Sequence, residues 1–199
     1  LSLHDALPIS VGDMQVSAGG ITLGANGLDF TGGTATVSGP VQTSGGGSVE
    51  YTSSGLLTLA AAADHTIDGS FTQNGAGAVS TAADITTTDD VVSILRAITL
   101  TGNVAIDTMG SGTTGANLTI SSTVDGASSL TIDTTEAAVT IGSTIGDTTA
   151  LTSLAIDAND VTLSGLGNSG AAGVSGAVAV TAADAGGDTE PAAQDPGQS

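Results

Sequence analysis

From residue 16 onward the chain is written in very short alternating runs. They are "ITL" (21–23), "TATV" (34–37), "SVEY" (48–51), "LLTL" (56–59), "HTID" (65–68), "AITL" (97–100), "VAID" (104–107), "NLTI" (117–120), "SLTID" (129–133), "AVTI" (138–141), "SLAID" (153–157), "DVTL" (160–163) and "AVAV" (177–180). The form is apolar, then Thr or Ala, then apolar, a period of two that predicts strands. Gly, Asn, Asp and Ser fill the gaps, which is the chemistry of tight turns. The best helical candidate is "DDVVSILRAI" (89–98). Its Val91, Val92 and Ile94 are β-branched, lose side-chain freedom in a helix and favour a strand.

A repeat is legible in the second half. In "VDGASSLTIDTTEAAVTIGSTIG" (124–146) and "IGDTTALTSLAIDANDVTLSGLG" (145–167), "SLTID" aligns with "SLAID" and "AVTIGS" with "DVTLSG". A unit of this length with two or three strands is one coil of a β-helix. The predicted fold is therefore all-β, a parallel β-solenoid of irregular 20–24-residue coils. The inward pairs are Leu130 with Ile132, Val139 with Ile141, Leu154 with Ile156, and Val161 with Leu163, and the threonine between them faces out.

Composition narrows the alternatives. Of 199 residues, 30 are glycine and only Phe30, Phe71 and Tyr51 are aromatic. Burial must come from Val, Ile, Leu and Ala, which suits thin stacked layers better than a core built on large rings. An outer-membrane barrel would need aromatic girdles and longer strands, and an immunoglobulin-like sandwich a buried ring and wider strand spacing. Collagen is excluded by the missing triplet period. No apolar run reaches membrane-spanning length, and no secretory signal is visible. The absence of cysteine excludes disulfides and thiolate metal sites. Only the end, "DAGGDTEPAAQDPGQS" (184–199), has the polar, proline-bearing composition of a disordered tail or linker.

Charge then excludes whole classes of partner. Twenty acids face one basic residue, Arg96, for a net charge of −19. Such a surface repels phosphate backbones and lacks the cationic cluster that anionic membranes attract, so neither nucleic acid binding nor membrane insertion is expected. Seventeen of the acids are aspartates, whose short carboxylates bond nearby backbone N–H groups, so most are expected in solvated turns.

The phrases "AADITTTDDVVSILRAITLTGNVAIDT", "ISSTVDGASSLTID" and "IGDTTALTSLAIDANDVTL" resemble the repeat region of filamentous haemagglutinin-like and autotransporter-like bacterial surface adhesins. The resemblance covers about residues 16–183. It implies a right-handed β-helix on an exported, extracellular or cell-surface bacterial protein, and it carries no catalytic residues. The opening "LSLHDALPIS" (1–10) resembles something else: residues 1–9 match, one for one, the translation of a widely used short-read sequencing adapter. On that reading residues 1–10 are an artefact outside the fold, 11–183 are a solenoid segment of a larger protein, and 184–199 are a tail.

Each candidate for chemistry has a plainer reading. Arg96 beside Asp89 and Asp90 is the nearest approach to a lyase or hydrolase set, but the Asn-Thr-Asp, Gly-His-Gly and Arg-x-Lys motifs of polygalacturonase-like enzymes are absent, and Asp89–Asp90 reads as a turn before a strand. His65 reads as a solvated turn histidine with no nucleophile to serve. "DANDV" (157–161) lacks the glycine frame of a calcium loop. "GANG" (24–27) and "GAGAVS" (75–80) lack a phosphate-binding lysine. "NLT" (117–119) is a chance glycosylation sequon. The Thr-x-Thr runs at 34–36 and 99–101 do not recur at the coil period, against an ice-binding face.

The sequence therefore points to a non-enzymatic stalk or display segment, with no catalytic, cofactor-binding or metal site and no cofactor. Its partners would be neighbouring coils of the same longer chain and host or cell-surface glycans or proteins. The rival reading is a fragment of a β-helix carbohydrate-active enzyme, which a cleft of convergent acids around Arg96 would favour.

Overall fold

In a computed structural model, parallel strands stack as a β-solenoid of about 8 turns, with no helix among the described residues. Residues 2–3, 9–168 and 173–182 are described. Each coil lays one short strand on each of three faces. Face A holds Ile21–Leu23, Val41–Gln42, His65–Ile67, Ile85–Thr87, Val104–Asp107, Ser129–Asp133, Ser153–Ala158 and Val178–Ala182. Face B holds Leu28–Gly32, Val49–Ser53, Phe71–Gln73, Val92–Ile94, Leu118–Ile120, the start of Ala138–Ile145, and Asp160–Leu166. Face C holds Met14–Val16, Ala35–Val37, Leu57–Leu59, Val79–Thr81, Ile98–Leu100, Val124–Asp125 and the end of Ala138–Ile145. Ala138–Ile145 turns the corner from face B to face C without a break, and its register shifts between Ile141 and Thr144.

Alternation makes the core. Ile85, Ile106, Ile132 and Ile156 stack on face A, Ile94, Ile120 and Ile141 on face B, and Leu57, Val79, Ile98, Val124 and Ile145 on face C. All are buried, and each contributes roughly 1.5–3 kcal/mol on leaving water. The repeat read from the sequence is the observed register: Ser129–Asp133 pairs residue for residue with Ser153–Asp157, and Ala138–Ile141 with Asp160–Leu163. Leu130, Ile132, Val139, Ile141, Leu154 and Ile156 are buried. Val161 and Leu163 point the same way but are only partly buried, because no described strand stacks on their far side.

Close stacking leaves little room at the corners. Gly27 sits at φ 67°, and a Cβ there would run into the backbone of Ser48 in the next coil. An L side chain is disfavoured there on both counts.

The path of the coils departs from the sequence reading in three respects. Coil length reaches 26 residues where Thr108–Asn117 bulges out, beyond the expected 20–24. Strands at Met14–Val16, Leu28–Gly32, Phe71–Gln73, Val79–Thr81 and Ile85–Thr87 were not among the predicted runs. In three of these a polar residue (Gln73, Thr81 or Thr87) takes an inward place and breaks the apolar pattern. The opening stretch, expected to lie outside the fold, carries two short strands: Ser2–Leu3 pairs with Thr22–Leu23, and Ile9–Val11 with Phe30–Gly32. An open solenoid end presents unpaired N–H and C=O groups, and any extended segment can satisfy them. Residues 184–199, the expected tail, lie outside the described residues.

Candidate functional site

The acids are the first place to look for chemistry, and they are dispersed. Asp89 occupies a left-handed turn at φ 57°, a conformation that aspartate tolerates. Its carboxylate accepts hydrogen bonds from the N–H groups of Thr113 (3.1 Å), Thr114 (3.1 Å) and Gly115 (2.8 Å) in the Thr108–Asn117 bulge. Those bonds favour the charged form and hold its pKa below the usual aspartate value. Arg96 lies at the other end of Val92–Ile94. Its Nε donates to the Gly75 carbonyl at 2.9 Å, and its backbone N–H donates to Gln73 Oε1 at 3.2 Å. The three residues that looked closest to an enzyme set thus sit at two different corners, Asp89–Asp90 between faces A and B and Arg96 between faces B and C.

Other aspartates repeat the behaviour of Asp89. Asp13 accepts from the N–H and hydroxyl of Thr34, Asp64 from the N–H of Asp84, Asp84 from the N–H of Ala105, and Asp125 from the N–H groups of Thr148 and Thr149. Each reaches into the following coil and satisfies a backbone donor at a corner. The sequon residue Asn117 does the same through Oδ1 and the N–H of Ala138. Asp107, Asp133 and Asp157 stack in register on face A, where like charges oppose each other unfavourably. Asp107 bonds the N–H groups of Met109 and Gly110, and Asp133 the N–H and hydroxyl of Thr135. In the "DANDV" segment, Asp157 and Asp160 lie at the end of one strand and the start of the next. No group of three or more His, Cys, Asp or Glu is arranged to hold a metal ion among the described residues.

His65 overturns its expectation. It is not in a solvated turn; it is fully buried in His65–Ile67 on face A. Its Nδ1 lies 2.7 Å from the Ala63 carbonyl, which can only accept, so Nδ1 carries the hydrogen. Nε2 is then the acceptor for the Tyr51 hydroxyl, at 2.9 Å. The ring sits edge-on to Tyr51 and Phe71, with centroids 5.9 and 5.5 Å away. Burial pushes its pKa down to about 4, and burial raises that of Tyr51. Its described hydrogen-bond partners are the Ala63 carbonyl and the Tyr51 hydroxyl, and its chemistry is that of a neutral packed imidazole.

Thr131, Thr140 and Thr162 face out between the inward pairs as expected, but other threonines turn in. Thr87, Thr108 and Thr134 are buried at strand ends and donate to the carbonyls of Asp90 (2.5 Å), Ala116 (2.7 Å) and Ala137 (3.1 Å). Buried Gln73 donates to the Gly77 carbonyl at 3.0 Å. Each ties the chain into its corner. The signal was present only in part, as Gln73 directly before the turn residue Asn74. Outward threonines are more regular than the two Thr-x-Thr runs suggested: Thr36, Thr58, Ser80 and Thr99 form one column on face C.

No protein-family model, no curated protein and no solved structure matches the chain.

Proposed function

We propose that this chain is a structural segment of an exported bacterial surface protein, an adhesin-like stalk that displays other parts of the molecule and performs no catalysis. The observation that carries the reading is the use of the acids. Asp13, Asp64, Asp84, Asp89 and Asp125 are each bonded to backbone N–H groups of the next coil, whereas a hydrolytic site needs two carboxylates held free across one bond. The continuous buried core supports a mechanical role, because each coil leans only on its neighbours and length can be added without redesign. Contacts to glycans or proteins would run along the side of the stack or at its tip, weak singly and strong in number.

Incubation with acidic and neutral polysaccharides tests the absence of catalysis. The expected result is no new reducing ends and no unsaturated products. Depolymerisation lost in Arg96→Ala, or in Asp89→Asn with Asp90→Asn, would contradict the structural reading. The adhesive role is tested separately, by binding of cells or glycan arrays to the immobilised chain.

A further inference from the structure

Faces A and B differ in charge. Asp64, Asp68, Asp84, Asp107, Asp133 and Asp157 gather on face A and its margins. On face B four consecutive coils turn only uncharged side chains outward, and Thr72, Ser93, Thr119 and Thr140 form a hydroxyl column in strict register. Glu50 in the coil before and Asp160 in the coil after bracket this patch.

One coil of the patch is also self-complementary. Val91 and Leu95 are exposed, at 47% and 41%, and alternation sets both on the outward side, flanking Ser93. One step further out stand Asp90 and Arg96, the chain's only basic residue. Among the described residues, the Arg96 terminal nitrogens and the Asp90 carboxylate carry no hydrogen bond or ion pair. The segment therefore runs from Asp90 at one corner of face B through Val91, Ser93 and Leu95 to Arg96 at the other, and this order of acid, apolar, hydroxyl, apolar and base complements itself when reversed.

We propose that face B pairs with face B of a second copy, about a two-fold axis parallel to the solenoid axis and in front of Ser93. The rotation reverses strand direction and keeps coil level. Val91 then meets the partner's Leu95, Arg96 meets the partner's Asp90, and the hydroxyl columns face each other. The two solenoids lie side by side and point the same way. Charge excludes face A: with −19 on each copy, face A against face A would set a column of acids against its like; face B is preferred to the equally uncharged face C for its exposed Val91 and Leu95. The patch measures about four strand spacings by five residues, roughly 300 Å² on each copy, well below the ~800 Å² per partner of a stable complex. Pairing is thus weak between free chains and becomes effective where many chains stand close together on one support. Such pairing depends only on the described solenoid and holds whether or not the chain is adhesive.

The chain's lack of cysteine provides the test. Ser93→Cys places a thiol on the proposed axis, while Thr131→Cys and Thr58→Cys place one on faces A and C. Under mild oxidation Ser93→Cys is expected to form disulfide-linked dimers on the order of tenfold faster than either control, with circular dichroism confirming that all three are folded. Adding Arg96→Glu to Ser93→Cys should slow dimer formation, and adding Asp90→Arg to that variant should restore it. Equal rates at the three positions would overturn the assignment of face B. A Ser93→Cys rate indifferent to Arg96→Glu would overturn the two-fold arrangement.

Discussion

The coils around Tyr51, His65 and Phe71 and those built on Ile106, Ile132 and Ile156 fill the same interior by opposite means. The second region is an aliphatic ladder in which each isoleucine lies on its counterpart in the next coil. Any branched aliphatic of similar volume would serve there, because dispersion and burial have no preferred direction. The first region packs three rings at centroid distances of 5.5 to 5.9 Å and ties them through Tyr51–His65 and His65–Ala63 hydrogen bonds. Those bonds have direction and stoichiometry, and one member titrates. The aliphatic region should therefore respond to polarity alone, and the aromatic region to polarity, geometry and pH.

The largest expected effect lies in the aliphatic ladder. Ile132→Asp removes a buried side chain and adds an unpaired charge, so it should cost several kcal/mol. Thr131, its outward neighbour, should tolerate Asp at a cost of about 1 kcal/mol or less. Hydrogen exchange should show the Ile132→Asp damage confined to neighbouring coils. Equal damage from the two substitutions would break the inward–outward assignment.

The next effect belongs to the aromatic region. The folded pKa of His65, about 4, lies below the unfolded value of 6.5. Between those values the unfolded chain takes up a proton that the folded one refuses. The contribution of His65 to stability is therefore complete above about pH 6.5, falls as pH drops toward 4, and levels off below, a total of about 3 kcal/mol. Melting at stepped pH should show this loss, and His65→Leu should remove it. Unchanged pH dependence in His65→Leu would mean that the buried ring is not its source. Tyr51→Phe keeps the ring and leaves Nε2 buried without a donor, at a cost of about 1–3 kcal/mol, measurable by denaturant unfolding.

The smallest effect sits at a corner of the aliphatic region. Thr135 holds φ 49°, a strained conformation for a β-branched residue. Asparagine accepts that backbone more readily, but Thr135→Asn loses the hydroxyl bond to Asp133, worth about 1 kcal/mol. The two changes should nearly cancel, leaving stability within about 1 kcal/mol of wild type. A clear destabilisation in calorimetry would show that the hydroxyl contact outweighs the strain.

The same contrast explains what could be read from the sequence. "SLTID", "SLAID", "AVTI" and "DVTL" declared their strands and register because aliphatics fill every inward place. "FTQ", "VST" and "ITT" did not, because Gln73, Thr81 and Thr87 enter the core to bond corner carbonyls, and a polar residue at an inward place looks like the end of a strand. His65 was misread for a related reason. Its partner Tyr51 lies 14 residues away, in the preceding face B strand, and only the coil geometry brings the two together. The turn role of the aspartates was legible from composition. Their reach into the next coil was not, because it depends on register.

In a solenoid of this kind the chain rises by one strand spacing per coil. Cysteine-linked spin labels on face A test it directly. Thr22, Gln42, Thr66 and Asp157 all lie outward on one register column. Paired with a label at Asp157, those at Thr66, Gln42 and Thr22 stand four, five and six coils away. The expected distances are about 19, 24 and 29 Å, rising by ~4.8 Å per coil. Three distances that do not rise in equal steps would contradict the solenoid.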